Sequence, residues 1–449
     1  MIKIKEPAVA NLFYSGNASE LKKQIDGFAK NSCNSYEYKS RAVIVPHAGL
    51  VYSGQLAYDG ISQLDKSIKN IFIFAPAHRV PFGGIALTTF DEWKTPLGTI
   101  GINQVINGEL EAEFDGKFLD EAYLEEHSVE IELPIIQTVF KEAEKLNIIP
   151  VLVGHENPKI ITKIISKYYP DKDCGFVISS DLSHFHNDNK ARKIDLETAR
   201  MIESGDLIKF THEQACGATG IAGLVDFANQ NNYSMIRINM LNSSAVSGDK
   251  SRVVGYGTWF LYEGKKNGFI KKYYSGYLLN LCRNVIRAKL GGKSFFPTHA
   301  QVFDESGACF VTLKKLGNLR GCIGSIIAHQ PLINDIAQNA QNAAFKDPRF
   351  NPVTSDEVDF LSIDISLLSE PKQISFTDEA DLLRQIVPFK DGIIIKDGWQ
   401  QAVYLPSVWE DLPDKGLFLK SLKMKAGMAP DHFSKHFEAY RFGTEYIEE

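Results

Sequence analysis

Four short, nearly unbroken apolar runs constrain the first half of this chain more than anything else in it. They are Arg41-Ala-Val-Ile-Val-Pro46, Ile71-Phe-Ile-Phe-Ala75, Ile148-Ile-Pro-Val-Leu-Val153 and Phe176-Val-Ile-Ser179. Runs of that length without polar alternation predict strands buried on both faces, the condition of a parallel sheet covered by helices. Helices are expected between them at Val129–Leu146 and at Asp188–Glu203, the second opening after a His/Asn/Asp cluster suited to capping. Met235–Leu241 and Arg252–Leu261 read as closing strands. The alternation implies an α/β N-terminal domain with a mostly parallel central sheet.

A chain of 449 residues exceeds what one core usually supports, so a second domain is expected. The polar, Gly-bearing stretch Glu263-Gly-Lys-Lys-Asn-Gly268 predicts the boundary, with domains over 1–264 and 270–449. Beyond it, Tyr277–Leu290 has helical spacing and stops at Gly291-Gly292. Strands are expected at Ala308–Leu313 and Phe360–Leu367, and helices at Pro331–Ala344 and Glu379–Gln385. This irregular mixture predicts an α+β C-terminal domain. A formal net charge of -6 argues against nucleic-acid or acidic-membrane partners. The six cysteines (Cys33, Cys174, Cys216, Cys282, Cys309 and Cys322) form no CxxC pair and no dense framework, which predicts a reducing compartment and no structural zinc site. With no apolar signal core and no apolar run of membrane-spanning length, a cytoplasmic protein is expected.

The histidines matter through their position relative to the strands. His47 follows Val43-Ile-Val45 of the first run by two residues, His78 lies just past the second, and Asp181 and His184 follow the fourth. Three strands thus end in ligand-capable residues on one predicted side of the sheet, where open α/β sheets bind their ligands. Loops and helices bring in His127, from Glu126-His-Ser128, and Cys216, from Ala215-Cys-Gly217. Imidazoles with a thiolate suit iron, copper or zinc. Each residue taken singly has a plainer reading: a loop histidine, a small buried cysteine, an Asp181 that caps the following helix.

At these residues the sequence resembles the Memo family. The match is carried by Val45-Pro-His-Ala-Gly49 with Tyr52-Ser-Gly54, Ala75-Pro-Ala-His78, Trp93-Lys-Thr-Pro-Leu-Gly98, Glu126-His-Ser128 with Leu133-Pro134, and Ser179-Ser-Asp-Leu-Ser-His184. It runs from about Glu6 to Tyr262. Memo proteins resemble in fold the LigB-type class III extradiol dioxygenases, which hold non-haem Fe(II). The resemblance implies His47 and His78 as metal ligands, His127 and His184 as pocket histidines, and Cys216 at the third ligand position. The dioxygenases use a carboxylate there, and a thiolate shifts preference toward copper or zinc.

The second half resembles the AMMECR family from about Tyr273 to Tyr446, through Leu319-Arg-Gly-Cys-Ile-Gly324, Asp347-Pro-Arg-Phe350, Leu405-Pro-Ser-Val-Trp409 and Lys425-Ala-Gly427. Gly321 and Gly324 permit a turn or close backbone approach, and Arg320 offers a fork for an anion. Cys322 has two readings, a reactive thiolate or a packed core cysteine. Arg349 either pairs with an acidic neighbour or binds a phosphate or carboxylate. The fusion resembles the AmmeMemoRadiSam set, which implies a radical-SAM protein as partner; this chain has no CxxxCxxC run to hold that protein's cluster.

The combined expectation is a metal-dependent, oxidoreductase-like domain holding iron first, copper or zinc next, through His47, His78 and Cys216. His184, oriented by Asp181, is the expected general acid/base, and His127 the residue that orients a small-molecule substrate. The C-terminal domain is expected to recognise an anionic substrate or a partner near Arg320. Two alternatives stand beside this. One is a binding or scaffold protein whose pocket has no turnover. The other is a metal-free hydrolase with Cys216 as nucleophile and His184 as base, which leaves His47 and His78 without a role.

Overall fold

The computed structural model describes residues 2–32, 36–140, 145–208, 210–295 and 301–449. The chain divides into two compact units, Met1–Lys266 and Asn267–Glu449. In the first, the apolar runs form β1 (Ala42–Val45), β2 (Asn70–Pro76), β3 (Asn147–Val153) and β4 (Cys174–Ser179). They pair in the order β3-β2-β4-β1, all parallel. Ile44, Phe72, Phe74, Ile149, Phe176 and Ile178 are buried in one core cluster, which is why no polar residue interrupts the runs. After β5 (His184–His186) come β6 (Ser234–Asn242) and β7 (Val253–Tyr262). β7 runs antiparallel to β1, β5 and β6 and closes that side. Five short strands, Ile4–Lys5, Ile85–Leu87, Glu92–Thr95, Gly98–Ile102 and Lys117–Phe118, extend the sheet beyond β3.

Register positions the site. Val45 lies opposite Ser179, Pro76 opposite Val153 and Phe74 opposite Ile178. The four carboxyl ends therefore form one row, and the loops beyond them carry His47, His78 and Asp181. Helix α1 (Leu50–Ser62) follows the first of these loops. Helix α2 (Asp188–Ser204) is capped by the Asn187 side chain on Lys190 N at 3.0 Å and ends at Gly205, φ +78°. Helix α3 (Ala218–Gln230) starts at Gly217. A Cβ there would lie 2.7 Å from the Ser179 carbonyl oxygen, so only glycine lets this helix approach β4.

One expected element differs. Val129–Leu146 is not one helix: Glu130–Glu132 makes a 3-10 turn and the α-helix covers Leu133–Val139. Pro134 explains the shift, because proline is accepted in a helix's first turn and not in its interior. Residues 141–144 of that expected helix, and Cys33, lie outside the described residues. His184 lies on β5, a short strand hydrogen-bonded to the edge of β7, before helix α2 begins.

The second unit is α+β. Helix α4 (Lys266–Leu290) begins well before Tyr277, because Phe269 and Ile270 are buried and continue its apolar face. The polar stretch expected as a linker is thus partly helical. The strands are β8 (Ala308–Lys315), β9 (Asn318–Gly324), β10 (Leu361–Leu368), β11 (Lys372–Gln373), β12 (Gly392–Asp397), β13 (Gln400–Tyr404), β14 (Glu438–Phe442) and β15 (Thr444–Ile447). They form two antiparallel sheets, β9-β8-β10-β15 and β11-β14-β12-β13. Three further helices are α5 (Leu332–Phe345), α6 (Glu379–Gln385) and α7 (Lys415–Lys425). Among the described residues, no helix is long and apolar enough to cross a membrane.

Candidate metal centre

Beyond the carboxyl ends of β1 and β2, three imidazoles converge. One ring nitrogen from each of His47, His78 and His127 lies within 4.8 Å of the others, a group able to hold a metal ion. The ring centroids are 5.3 Å apart for His47 and His78, 5.4 Å for His47 and His127, and 4.8 Å for His78 and His127. His47 is fully buried, His127 half-buried, and His78 reaches solvent.

Hydrogen bonds aim these rings. The Glu126 carboxylate, 2% exposed, sits 2.9 Å from His78 Nδ1 and 3.1 Å from His127 Nδ1. It also accepts the backbone N–H groups of His78 at 2.5 Å, His127 at 2.9 Å and Ser128 at 3.1 Å. Burial alone would raise its pKa, but the hydrogen bonds from His127 and His78 hold it well below the usual carboxylate range. Glu126 is therefore ionised and accepts from the Nδ1–H of both rings, leaving each Nε2 to face an ion. For His47 the partner is Ser179. The Ser179 Oγ lies 2.7 Å from the Ser128 carbonyl and 3.1 Å from Glu132 Oε1. Whichever of these takes the hydroxyl proton, the remaining lone pairs face His47 Nδ1 at 2.8 Å, so that nitrogen carries the hydrogen. Burial, with the neighbouring His78 and His127, pulls His47 well below the ordinary imidazole range. Nδ1 is thus engaged at all three rings, which leaves Nε2 as the ligand atom.

Cys216 stands beside this group and not within it. Its Sγ is 3.2 Å from His47 Nε2, while the ion-sized set comprises the three histidines. Burial, then the nearby Asp181, pushes the Cys216 thiol up to about 12, so without a metal it stays protonated and donates to His47 Nε2. Asp181 serves the backbone: Oδ1 accepts the His47 N–H at 2.9 Å, and the Ala48 N–H also bonds the carboxylate. The expected Asp181–His184 pairing is therefore corrected, since this carboxylate shapes the β1 loop. Burial lowers the pKa of His184, which lies close enough to His47 and His78 to be coupled to their charge. The Cys216–His184 dyad of the hydrolase alternative is likewise replaced by a Cys216–His47 contact. His212, exposed, has Nδ1 3.3 Å from the Cys216 carbonyl and lines a small cleft with Ala75, Pro76, Val153 and Thr219.

Sequence reasoning missed Glu126 and Ser179. Each sits in a quoted motif, yet the Glu126–His78 contact spans 48 positions and the Ser179–His47 contact 132. The adjacency of an acid to His127 was the available signal.

In the second unit, the glycines of the Leu319–Gly324 segment serve packing. A Cβ at Gly321 would lie 2.1 Å from the Ala343 carbonyl of α5, and one at Gly324 2.3 Å from the Phe310 ring. Arg320 is not an open anion fork. Its Nε and Nη2 bond Glu357 at 3.3 and 3.0 Å, and its Nη1 bonds the Asn351 carbonyl at 2.8 Å. Arg349 pairs with Asp347 through Nε at 3.0 Å and Nη2 at 2.7 Å. Cys322 is half-buried.

An α/β layer with an imidazole cluster at its strand ends, followed by a two-sheet α+β unit, defines the class of this protein. Residues 5–260 match the family described as Memo-like protein, and residues 279–447 match AMMECR1. The chain belongs to the Memo family, with an AMMECR1 domain following the Memo domain. It is similar to a MEMO1 family protein of Thermoplasma acidophilum, 32% identical over 266 residues, covering 56% of this chain and 96% of that protein. Protein MEMO1 of Xenopus laevis is 30% identical over 286 residues, covering 56% of this chain and 95% of that one. Among solved structures, an uncharacterized protein from Pyrococcus horikoshii is 32% identical, with a TM-score of 0.37, covering 38% of this chain and 90% of that chain.

Proposed function

We propose that the Memo domain is a metal-dependent oxidoreductase of the non-haem dioxygenase kind, with iron as its ion and copper or zinc as substitutes. The observation that carries this reading is the three-imidazole group whose Nδ1 atoms are all engaged by Glu126 and Ser179. Oriented imidazoles with bonded far nitrogens are what a transition-metal site requires. His47 and His78 would hold the ion, with His127 as third ligand and Cys216 as a neighbouring soft donor. An ion there would supply Lewis acidity and redox chemistry. His184, kept neutral by burial, takes or returns a proton at the rim. The raised Cys216 pKa speaks against a free thiolate nucleophile.

The AMMECR1 domain recognises the substrate or a partner, and a radical-SAM protein acts in the same pathway. Because Arg320 and Arg349 are both paired internally, that recognition does not rest on Arg320 alone. The test loads chelator-free protein with Fe(II) anaerobically, measures bound metal, then follows oxygen consumption against a panel of catechols. Stoichiometric iron with oxygen uptake supports the reading. Stoichiometric iron with no uptake for any substrate favours the binding or scaffold alternative, and no bound metal overturns both.

A further inference from the structure

The 3-10 turn after His127 carries two buried acids with opposite surroundings. Glu130 faces the Lys5 ammonium at 2.9 Å and accepts from the Ala8 and Val9 amides and the Tyr14 hydroxyl at 2.8–3.0 Å. Glu132, fully buried, is far less provided for. Among the described residues its one hydrogen-bond partner is the Ser179 hydroxyl, 3.1 Å from Oε1, and its Oε2 has none.

At Ser179 the hydrogens can be counted. Three groups lie against its Oγ: the Ser128 carbonyl at 2.7 Å, His47 Nδ1 at 2.8 Å and Glu132 Oε1 at 3.1 Å. A carbonyl only accepts, so the hydroxyl hydrogen goes to Ser128, the nearest of the three. Each remaining contact must then bring its own hydrogen, His47 as Nδ1–H and Glu132 as Oε1–H. An ionised Glu132 would set one oxygen against a serine lone pair and leave the other bare in the core, which burial penalises heavily. The neutral acid leaves only an uncharged carbonyl oxygen at Oε2. Burial, opposed by the Ser179 bond and reinforced by the nearby Asp181, acts in the same sense and raises the Glu132 pKa well above the carboxylate range.

We propose that Glu132 is a positioning residue of the metal centre, a neutral acid whose O–H directs the Ser179 hydroxyl onto the Ser128 carbonyl. Ser128 follows His127 in the chain, so this one hydroxyl ties the His47 ring to the loop that carries His127. The inference rests on the reading of the three histidines as metal ligands. His47 is then supported differently from its neighbours. An anion, Glu126, stands behind His78 and His127, whereas an uncharged chain of Ser179 and Glu132 backs His47, fixing its direction without adding charge.

The test uses the full chain, its Glu132→Gln and Glu132→Leu variants, and Zn(II) alone as the probe. Glutamine keeps an uncharged donor facing Ser179, and leucine keeps only bulk. The infrared difference between metal-free wild type and Glu132→Gln in neutral buffer should show the C=O band of a protonated carboxyl; a carboxylate band in its place overturns the proposal. In competitive titration Glu132→Leu should bind Zn(II) about 10–100-fold more weakly, with Glu132→Gln close to wild type. Wild-type affinity in the leucine variant, or an equal loss in both variants, also overturns it. If the wild type binds no metal, the metal-centre reading fails by itself, and the His47 ring then decides the role of Glu132. In protein labelled with 15N-histidine, its Nδ1–H should exchange slowly in wild type and Glu132→Gln and faster in Glu132→Leu; equal exchange in all of them refutes the role. Should Glu132→Leu fail to fold, the infrared band and the Glu132→Gln affinity still decide it.

Discussion

Replacing Glu126 with glutamine tests the metal centre at the point where its geometry is concentrated. One carboxylate accepts five hydrogen bonds, two from imidazoles and three from backbone amides. Glutamine keeps the shape but turns one oxygen into an NH2 group, which then faces a donor. If the amide nitrogen takes the Oε2 position, it opposes the His78 N–H that now lies 2.5 Å away. Losing one buried charge-assisted bond and leaving its donor unmet costs about 2–3 kcal/mol. In a unit of this size that lowers the melting temperature by about 4–10 °C. The loss of ring orientation at both His78 and His127 is expected to weaken metal binding by about 10–100-fold. Differential scanning calorimetry and competitive titration of Fe(II) and Zn(II) measure the two effects separately. Acid sensitivity gives a further check on sign. Because Glu126 is held below its unfolded value, its stabilisation is present above the ordinary carboxylate range and is lost as pH falls through the folded value. A Glu126→Gln protein with wild-type metal affinity would refute the assignment, whatever happens to its melting temperature.

Three further outcomes are expected. His127→Ala should weaken iron, copper and zinc alike by more than about 100-fold, whereas Cys216→Ser should weaken copper and zinc and spare Fe(II), as read by elemental analysis after loading; equal behaviour of the two variants would remove the distinction drawn between ring and thiol. Burial raises Asp195 to about 6, so the folded state holds its proton longer than the unfolded state and stability falls between about pH 4 and 6. Asp195→Asn should flatten that decline and exceed wild type by about 2–3 kcal/mol in urea unfolding near pH 7.5; a variant no more stable than wild type at that pH contradicts the reading. Fragments 1–266 and 267–449 should each fold and melt cooperatively, while a fragment beginning at 271 loses the buried Phe269 and Ile270 and about 3–5 kcal/mol with them. Circular dichroism melts of the three fragments decide this, and insolubility of both longer fragments would refute separability.

The parallel sheet was legible because its strands are buried on both faces, a condition that leaves a one-dimensional trace in runs such as Ile71–Ala75. The second sheet of the C-terminal unit left no such trace. Glu438-Ala-Tyr-Arg-Phe442 mixes charge with apolar residues, and its pairing with β12 is set by contacts some forty residues distant in the chain. The start of the helix at Leu133 was misplaced because apolar spacing outweighed the proline at 134. At the site, strand ends pointed to His47 and His78, while Asp181 misled: its position three residues before His184 resembled a helical pairing, but the intervening chain enters β5. The role of Glu126 depends on a loop returning to the mouth of β2, which no local pattern records.

The sharing of Glu126 between two rings has an evolutionary corollary. His78 and His127 come from distant segments but answer to one anion, so neither can drift in orientation without disturbing the other. A lineage that loses either histidine keeps a buried negative charge whose remaining partners no longer balance it. Selection to relieve that charge would then act on position 126 itself. Glutamate at this position and histidine at the other two should therefore be gained and lost as a set, even in descendants that have abandoned the chemistry.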